Sequence, residues 1–275
     1  MCITQVETED AEAQSVIFRG IDAYNDTVSG RPEPGRRLAV TLPGPDGRAI
    51  GGLFGYTYYD WLHLQLLAVL PARRGRGLGR ALLRAAEAEA ARRGCRAAWA
   101  EVDPDTAGFL ERQGWREFGR LDDGPPATHR RFLARDLATG AAVPGPNASD
   151  TISSADVAVL DAAVPPPPRR PLGLLVRDDA GHVEGGLWGW SEQGRLFVQL
   201  LFLPEQRRRH GLGTELMARA GAVARRRHCR VIWLDTFSFQ ARPFYERLGF
   251  SCFATLADYP PGGARHFLVK RLEEG

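Results

Sequence analysis

Leu201-Phe202-Leu203-Pro204-Glu205-Gln206-Arg207-Arg208-Arg209-His210-Gly211-Leu212-Gly213-Thr214 reads as an apolar strand, a basic glycine-bearing loop and the opening of a helix. The same pattern stands earlier in the chain as Leu67-Ala68-Val69-Leu70-Pro71-Ala72-Arg73-Arg74-Gly75-Arg76-Gly77-Leu78-Gly79-Arg80. Both copies hold R-x-x-G-x-G, at Arg74, Gly77 and Gly79 and at Arg208, Gly211 and Gly213. Glycine lets a backbone turn tightly and approach a ligand closely. The open N–H groups and positive dipole end of the helix that follows attract phosphate oxygens. One copy could be an ordinary strand-to-helix turn with a solvated arginine run; two copies favour an anion-binding loop.

The duplication extends well beyond the loops. A shift of 134 residues carries Gly51-Gly52-Leu53-Phe54-Gly55-Tyr56 onto Gly185-Gly186-Leu187-Trp188-Gly189-Trp190, Gln65 onto Gln199, Cys95 onto Cys229 and Trp99 onto Trp233. After a one-residue slip, a shift of 135 carries Glu111-Arg112 onto Glu246-Arg247 and Arg130-Arg131-Phe132-Leu133 onto Arg265-His266-Phe267-Leu268. An internal repeat of this kind governs the reading of the fold.

Each repeat gives the same order of elements. Ile17, Ile21, Tyr24 and Val28 at helical spacing predict a helix over 8–29 with Thr8 as its cap, and a shorter counterpart is expected over 153–164 before Pro165 to Pro168. Antiparallel strands are expected over 38–42, 49–58 and 62–69, and again over 172–176, 183–190 and 196–203. A motif helix, a strand, a short helix and a closing hairpin follow in both. The Ala-, Gly- and Pro-rich segment 138–149 reads as a linker between separately packed units.

The chain of 275 residues, 44% hydrophobic and 25% charged, is long enough for two domains. The acidic first ten residues do not read as a secretory signal and no apolar run approaches membrane-spanning length, so a cytoplasmic location and no membrane partner are expected. Cys2, Cys95, Cys229 and Cys252 lack metal-ligand or paired spacing, so no metal and no disulfide framework are expected. The net charge of +3, although carried almost wholly by arginine, argues against a nucleic-acid partner.

The twofold loop and element order resemble those of the GNAT acyltransferase superfamily over almost all of the chain. The resemblance implies an α+β fold of two tandem domains, 1–137 and 150–275, each a mixed and largely antiparallel sheet flanked by helices and splayed where acetyl-CoA enters as acyl donor. It implies that Ala68, Val69, Arg74, Gly75, Arg76, Gly77, Leu78, Gly79 and Arg80, with Leu201, Phe202, Leu203, Arg208, Arg209, His210, Gly211, Leu212, Gly213 and Thr214, form the CoA-binding segments, Arg74 and Arg208 facing phosphate. A backbone N–H at Phe202 or Leu203, or at Ala68 or Val69, would hold the thioester carbonyl.

Acyl transfer to an amine also needs a proton for the departing thiolate. The family's tyrosine acid maps to Tyr245, where the first repeat has Leu110, which has no proton to give. A half-buried core tyrosine is the competing reading. Relatives often carry a glutamate base where this chain has Gln65 and Gln199, so Asp235 is the remaining candidate to steer the amine or act through water, against a plain strand-end role. The expectation is an N-acetyltransferase acting on a small-molecule primary amine, with chemistry in the second half, as a monomer of two pseudo-equivalent halves or a homodimer. Chemistry in the first half, or a non-catalytic acyl-CoA sensor or scaffold, are the alternatives.

Overall fold

The computed structural model describes residues 2–30, 35–122, 128–137, 148–149 and 168–273. The chain begins with β1 (Cys2–Val6) and α1 (Ala11–Ser29), followed by β2 (Arg36–Pro43), β3 (Ala49–Tyr58), β4 (Trp61–Val69), α2 (Leu78–Arg92), β5 (Ala97–Val102), α3 (Pro104–Glu111), β6 (Arg116–Leu121) and β7 (Arg130–Asp136). After a two-residue β8 (Ala148–Ser149), the series repeats as β9 (Arg170–Arg177), β10 (Val183–Glu192), β11 (Arg195–Phe202), α4 (Leu212–Arg226), β12 (Val231–Phe237), α5 (Arg242–Arg247), β13 (Ser251–Ala257) and β14 (Ala264–Arg271). Asp10, not Thr8, caps α1, its carboxylate accepting from the Ala13 N–H. The helix expected over 153–164 lies outside the described residues. No described helix is long and apolar enough to cross a membrane.

Two seven-stranded sheets share one strand order. The first runs β6-β7-β5-β4-β3-β2-β8 and the second β13-β14-β12-β11-β10-β9-β1. Each is mixed, with a single parallel neighbour pair, β4–β5 or β11–β12. This is the α+β architecture the repeat implies, with one correction. Cys2–Val6 and Ala11–Ser29, which a boundary at residue 137 assigns to the first half, belong to the second sheet: β1 pairs with β9, and Ala13 and Ile17 of α1 pack on Leu175, Trp188 and Leu200. Reciprocally, Ala148 and Ser149, at the end of the expected linker, pair with Val40 and Ala39 of β2. Edge pairing and burial of the α1 stripe outweigh proximity along the chain, each buried large aliphatic side chain contributing about 1.5–3 kcal/mol.

The halves also share a core. Trp61, Trp99 and Phe132 on one sheet meet Trp233, Phe237 and Phe267 on the other. Phe132 sits edge-to-face with Trp233 at 5.7 Å, and Trp61 stacks on Tyr259 at 5.1 Å. The opposite faces are covered by α2 through Leu82, Leu83 and Ala86, and by α4 through Leu216, Met217 and Val223.

The repeated glycine pattern has a definite cause. Between β3 and β4 the register slips so that Phe54 opposes Leu66 and Gly55 opposes Leu64, leaving Gln65 as a bulge; between β10 and β11, Trp188 opposes Leu200 and Gly189 opposes Val198, leaving Gln199. A Cβ on Gly55 would collide with the carbonyl oxygen of His63, and one on Gly189 with that of Phe197. Only glycine lets the partner strand kink this closely. Past the bulges the parallel pairs separate, since β4 meets β5 only from Trp61 to Leu64 and β11 meets β12 only from Arg195 to Val198. The sheet opens as a V in each half.

Candidate functional site

In the second half, the V opens into a cavity of about 440 Å³. Leu201, Phe202 and Leu203 at the end of β11, Arg208 of the loop, Asp235 on β12 and Tyr245 on α5 all line it. Because β12 has diverged, β11 backbone groups beyond Val198 have no ladder partner on that side and can serve a ligand carbonyl. Tyr245 is buried between Phe244 and Phe250, and among the described residues its hydroxyl has no hydrogen-bond partner. Burial pushes this phenol well above its ordinary value, with a further rise from the Asp235 carboxylate, so it stays protonated at neutral pH.

Asp235 is held rather than free. Arg265 donates from Nε to its Oδ1 at 2.8 Å and brings Nη2 to the same oxygen at 2.7 Å, while Oδ2 has no partner among the described residues. The guanidinium of Arg265 lies over the Trp99 ring at 4.7 Å and over Phe237 at 5.3 Å. The repeat preserves the pair, as Arg130 Nε donates to Glu101 Oε1 at 2.8 Å in the first half.

Part of this cavity was not legible in the repeat. Ile21, Tyr24 and Asn25 arrive on α1, and Tyr58 arrives from the end of β3 in the other half. Gln240 donates to Asn25 Oδ1 at 2.7 Å and accepts from Thr236 and from the Phe237 N–H. Gln199, the bulge residue, accepts from Gln14 of α1 at 3.2 Å. Gly20 sits in mid-helix against the Phe202 ring, with which any Cβ would collide. Position 58 pairs in the repeat with Glu192, so tyrosine in one copy and glutamate in the other was the available signal. Its meaning depends on which half the strand faces.

The two basic loops adopt one conformation. Gly77 and Gly211 cap α2 and α4 at φ 77° and 80°, and no side chain caps either helix, so the first-turn N–H groups remain open to an anion. Gly75 has φ 77°, and its counterpart Arg209 holds the same left-handed region at φ 64°, which costs a non-glycine residue roughly 1–2 kcal/mol. The arginines expected to face phosphate do something else with their Nε. Arg208 donates to the Leu203 carbonyl at 2.7 Å and lies 4.9 Å over the Tyr24 ring, and Arg74 donates to the Val69 carbonyl at 3.0 Å. They fix the strand end that precedes each loop.

In the first half, Ala68, Val69, Arg74, Gly75, Gly77, Leu78, Gly79 and Arg80 line a cleft of about 700 Å³ beside α3. Arg76 is exposed on the loop outside that lining, as are Arg209, His210 and Gly211 on the other loop. Leu212 is buried beneath the start of α4, a Cβ on Gly213 would press on the Phe244 ring at 3.2 Å, tighter than ordinary contact, and Thr214 lines a separate recess behind α4. Leu110, at the position of Tyr245, is fully buried.

The chain is similar to known acetyltransferases. The chain is 39% identical over 104 residues to an acetyltransferase of Agrobacterium fabrum, covering 38% of this chain and 76% of that protein. It is 42% identical over 95 residues to the blasticidin-S acetyltransferase of Streptomyces morookaense, covering 34% of this chain and 70% of that protein. A solved acetyltransferase structure from Bacillus cereus is 31% identical, with a TM-score of 0.38, covering 42% of this chain and 86% of the other. The model of the acetyltransferase (GNAT) family matches residues 21–115 and again 152–250, more than half of the chain, and the chain belongs to that family as a two-repeat member.

Proposed function

We propose that the protein is an acetyl-CoA-dependent N-acetyltransferase that acylates a primary amine of a small molecule, with the chemistry in the second half. One observation carries this reading: the opened end of β11, Tyr245, whose hydroxyl has no hydrogen-bond partner among the described residues, and Asp235 line one cavity. The open N–H groups at the start of α4 would hold the pyrophosphate of the acyl donor. Backbone N–H at Phe202 or Leu203 would receive the thioester oxygen, where charge develops as the amine attacks. Tyr245 supplies a proton to the sulfur as the C–S bond breaks, and Asp235 Oδ2 accepts a proton of the incoming amine directly or through water.

In the first half the loop and the open V are kept but Leu110 fills the tyrosine position, which supports acyl-CoA binding there without the same proton donor. The test is thiol release from acetyl-CoA against a panel of small amines, with mass spectrometry of the products. Acetylated product that disappears with changes at Tyr245 supports the reading. CoA binding without release on any amine would favour a sensor instead.

A further inference from the structure

Most polar side chains of the second cavity are bonded within the protein. Gln240 accepts from Thr236 at 3.1 Å and donates to Asn25 at 2.7 Å, and Gln199 accepts from Gln14 at 3.2 Å. Arg265 is held by Asp235 and donates to the Tyr259 hydroxyl at 3.2 Å, while Arg208 donates to the Leu203 carbonyl. The rest of the lining is largely apolar, with Phe18 and Tyr24 from α1, Phe237 from β12 and Tyr58 from β3 of the other half. Phe18 is 54% exposed, and the Tyr58 and Phe237 rings stand 6.3 Å apart, tilted by 55°. Among the described lining residues the charges are Arg208 and Arg265 against Asp235, a net positive wall.

Position 58 lies where the halves cross. Tyr58 belongs to the first sheet yet lines the second cavity, and its repeat counterpart Glu192, on β10 of the second sheet, acts with its carboxylate on Arg130 of the first half. Each half thus lends one strand-end residue to the other, and the aromatic one goes to the second site. This lining sorts amines by their chemistry. A second cation on the acceptor would approach Arg208 and Arg265. A polyhydroxylated body would leave water for side chains already bonded to one another. A flat aromatic body finds rings to pack on, and its single ammonium group finds the carboxylate of Asp235.

We propose that the second site selects a singly charged primary amine carried on a flat aromatic body, and that Tyr58, lent by the first half, sets this preference. The inference rests on the reading that the second cavity acylates an amine. The full chain is assayed for thiol release from acetyl-CoA with 2-phenylethylamine, n-hexylamine, spermidine and glucosamine. Wild type is expected to show a kcat/KM for 2-phenylethylamine at least about tenfold above the other three, a ring contact being worth up to about that factor. Tyr58→Leu keeps apolar bulk without the ring and should cut the ratio of 2-phenylethylamine to n-hexylamine several-fold, through KM; Tyr58→Phe should retain it. Phe18→Ala, at an exposed side chain, should lower the same ratio without disturbing the fold. Equal turnover of n-hexylamine, spermidine or glucosamine would overturn the proposal while leaving the second half a transferase. So would an aryl preference that survives Tyr58→Leu, or that survives Phe18→Ala where Tyr58→Leu does not fold. Acetyl-CoA binding with no turnover of any amine would overturn the transferase reading and this one with it.

Discussion

Gln240 Nε2 donates to Asn25 Oδ1 at 2.7 Å, joining two residues 215 positions apart. The bond ties α1 to the loop that follows β12, beside Asp235 and Tyr245 in the same cavity. The second site is thus walled by the first 30 residues of the chain. Deleting residues 1–30 should expose Leu175, Trp188 and Leu200, lower the unfolding temperature and abolish activity, even though both loops, Asp235 and Tyr245 remain. A truncated protein with unchanged thermal unfolding and turnover would contradict this placement of α1.

The bulge glycines make a second test. Gly189→Ala puts a Cβ into the Phe197 carbonyl, so β10 and β11 must move apart where the V begins. Overpacking of this kind costs about 1–3 kcal/mol. Denaturant unfolding should show that loss, accompanied by weaker acetyl-CoA binding because the opened strand end shifts. The same substitution at Gly108, where a Cβ meets only an ordinary contact and the backbone is not left-handed, controls for a general effect of losing a glycine.

Arg209 holds a left-handed conformation that the first repeat assigns to Gly75. Arg209→Gly should raise stability by up to about 1 kcal/mol, since the strain of a Cβ is removed while glycine adds some unfolded-state entropy. A fall in the denaturation midpoint would mean that the arginine side chain contributes more than its backbone costs.

His63 stacks on Trp99 at 3.8 Å, and desolvation, with Arg265 nearby, holds its pKa well below the ordinary value of 6.5. Its repeat counterpart is Phe197, which stacks on Trp233 at 4.2 Å. A histidine depressed in the folded state is neutral in both states above about pH 6.5, where its full contribution to stability is present. Below that, the unfolded chain takes up the proton first and stability is lost as pH falls toward the folded pKa. His63→Phe should flatten stability against pH on the acid side of 6.5. An unchanged slope would show that His63 titrates normally.

Sequence periodicity made the two repeats, their strands, both basic loops and the Tyr245-for-Leu110 difference legible, because each depends on local spacing or on comparison of one copy with the other. Exchange of β1 and α1 was not legible. Helical spacing of Ile17, Ile21 and Tyr24 specifies an apolar stripe but not which sheet it covers, and β1 is too short to declare its partner. For the same reason Asn25 and Tyr58 were not expected in the site. The roles of Gln65 and Gln199 were half visible: their recurrence was plain, but a bulge appears only once the opposite strand and its glycine are in register. Arg208 carried the motif's identity, yet the use of its side chain depends on the Leu203 carbonyl and Tyr24.

The central claim is that Tyr245 gives the proton that lets the thiolate leave. Phenylalanine keeps the ring against Phe244 and Phe250 and removes only the hydroxyl, which forms no hydrogen bond with the described residues. The deciding measurement is steady-state kinetics of Tyr245→Phe beside Leu110→Ala, with acetyl-CoA affinity followed separately. The account predicts that kcat for Tyr245→Phe falls by about 10²-fold or more, with acetyl-CoA affinity and folding close to wild type. Leu110→Ala should lose about 2–5 kcal/mol of stability but keep the kcat of its folded fraction. A Tyr245→Phe enzyme whose kcat stays within a few fold of wild type would contradict the account.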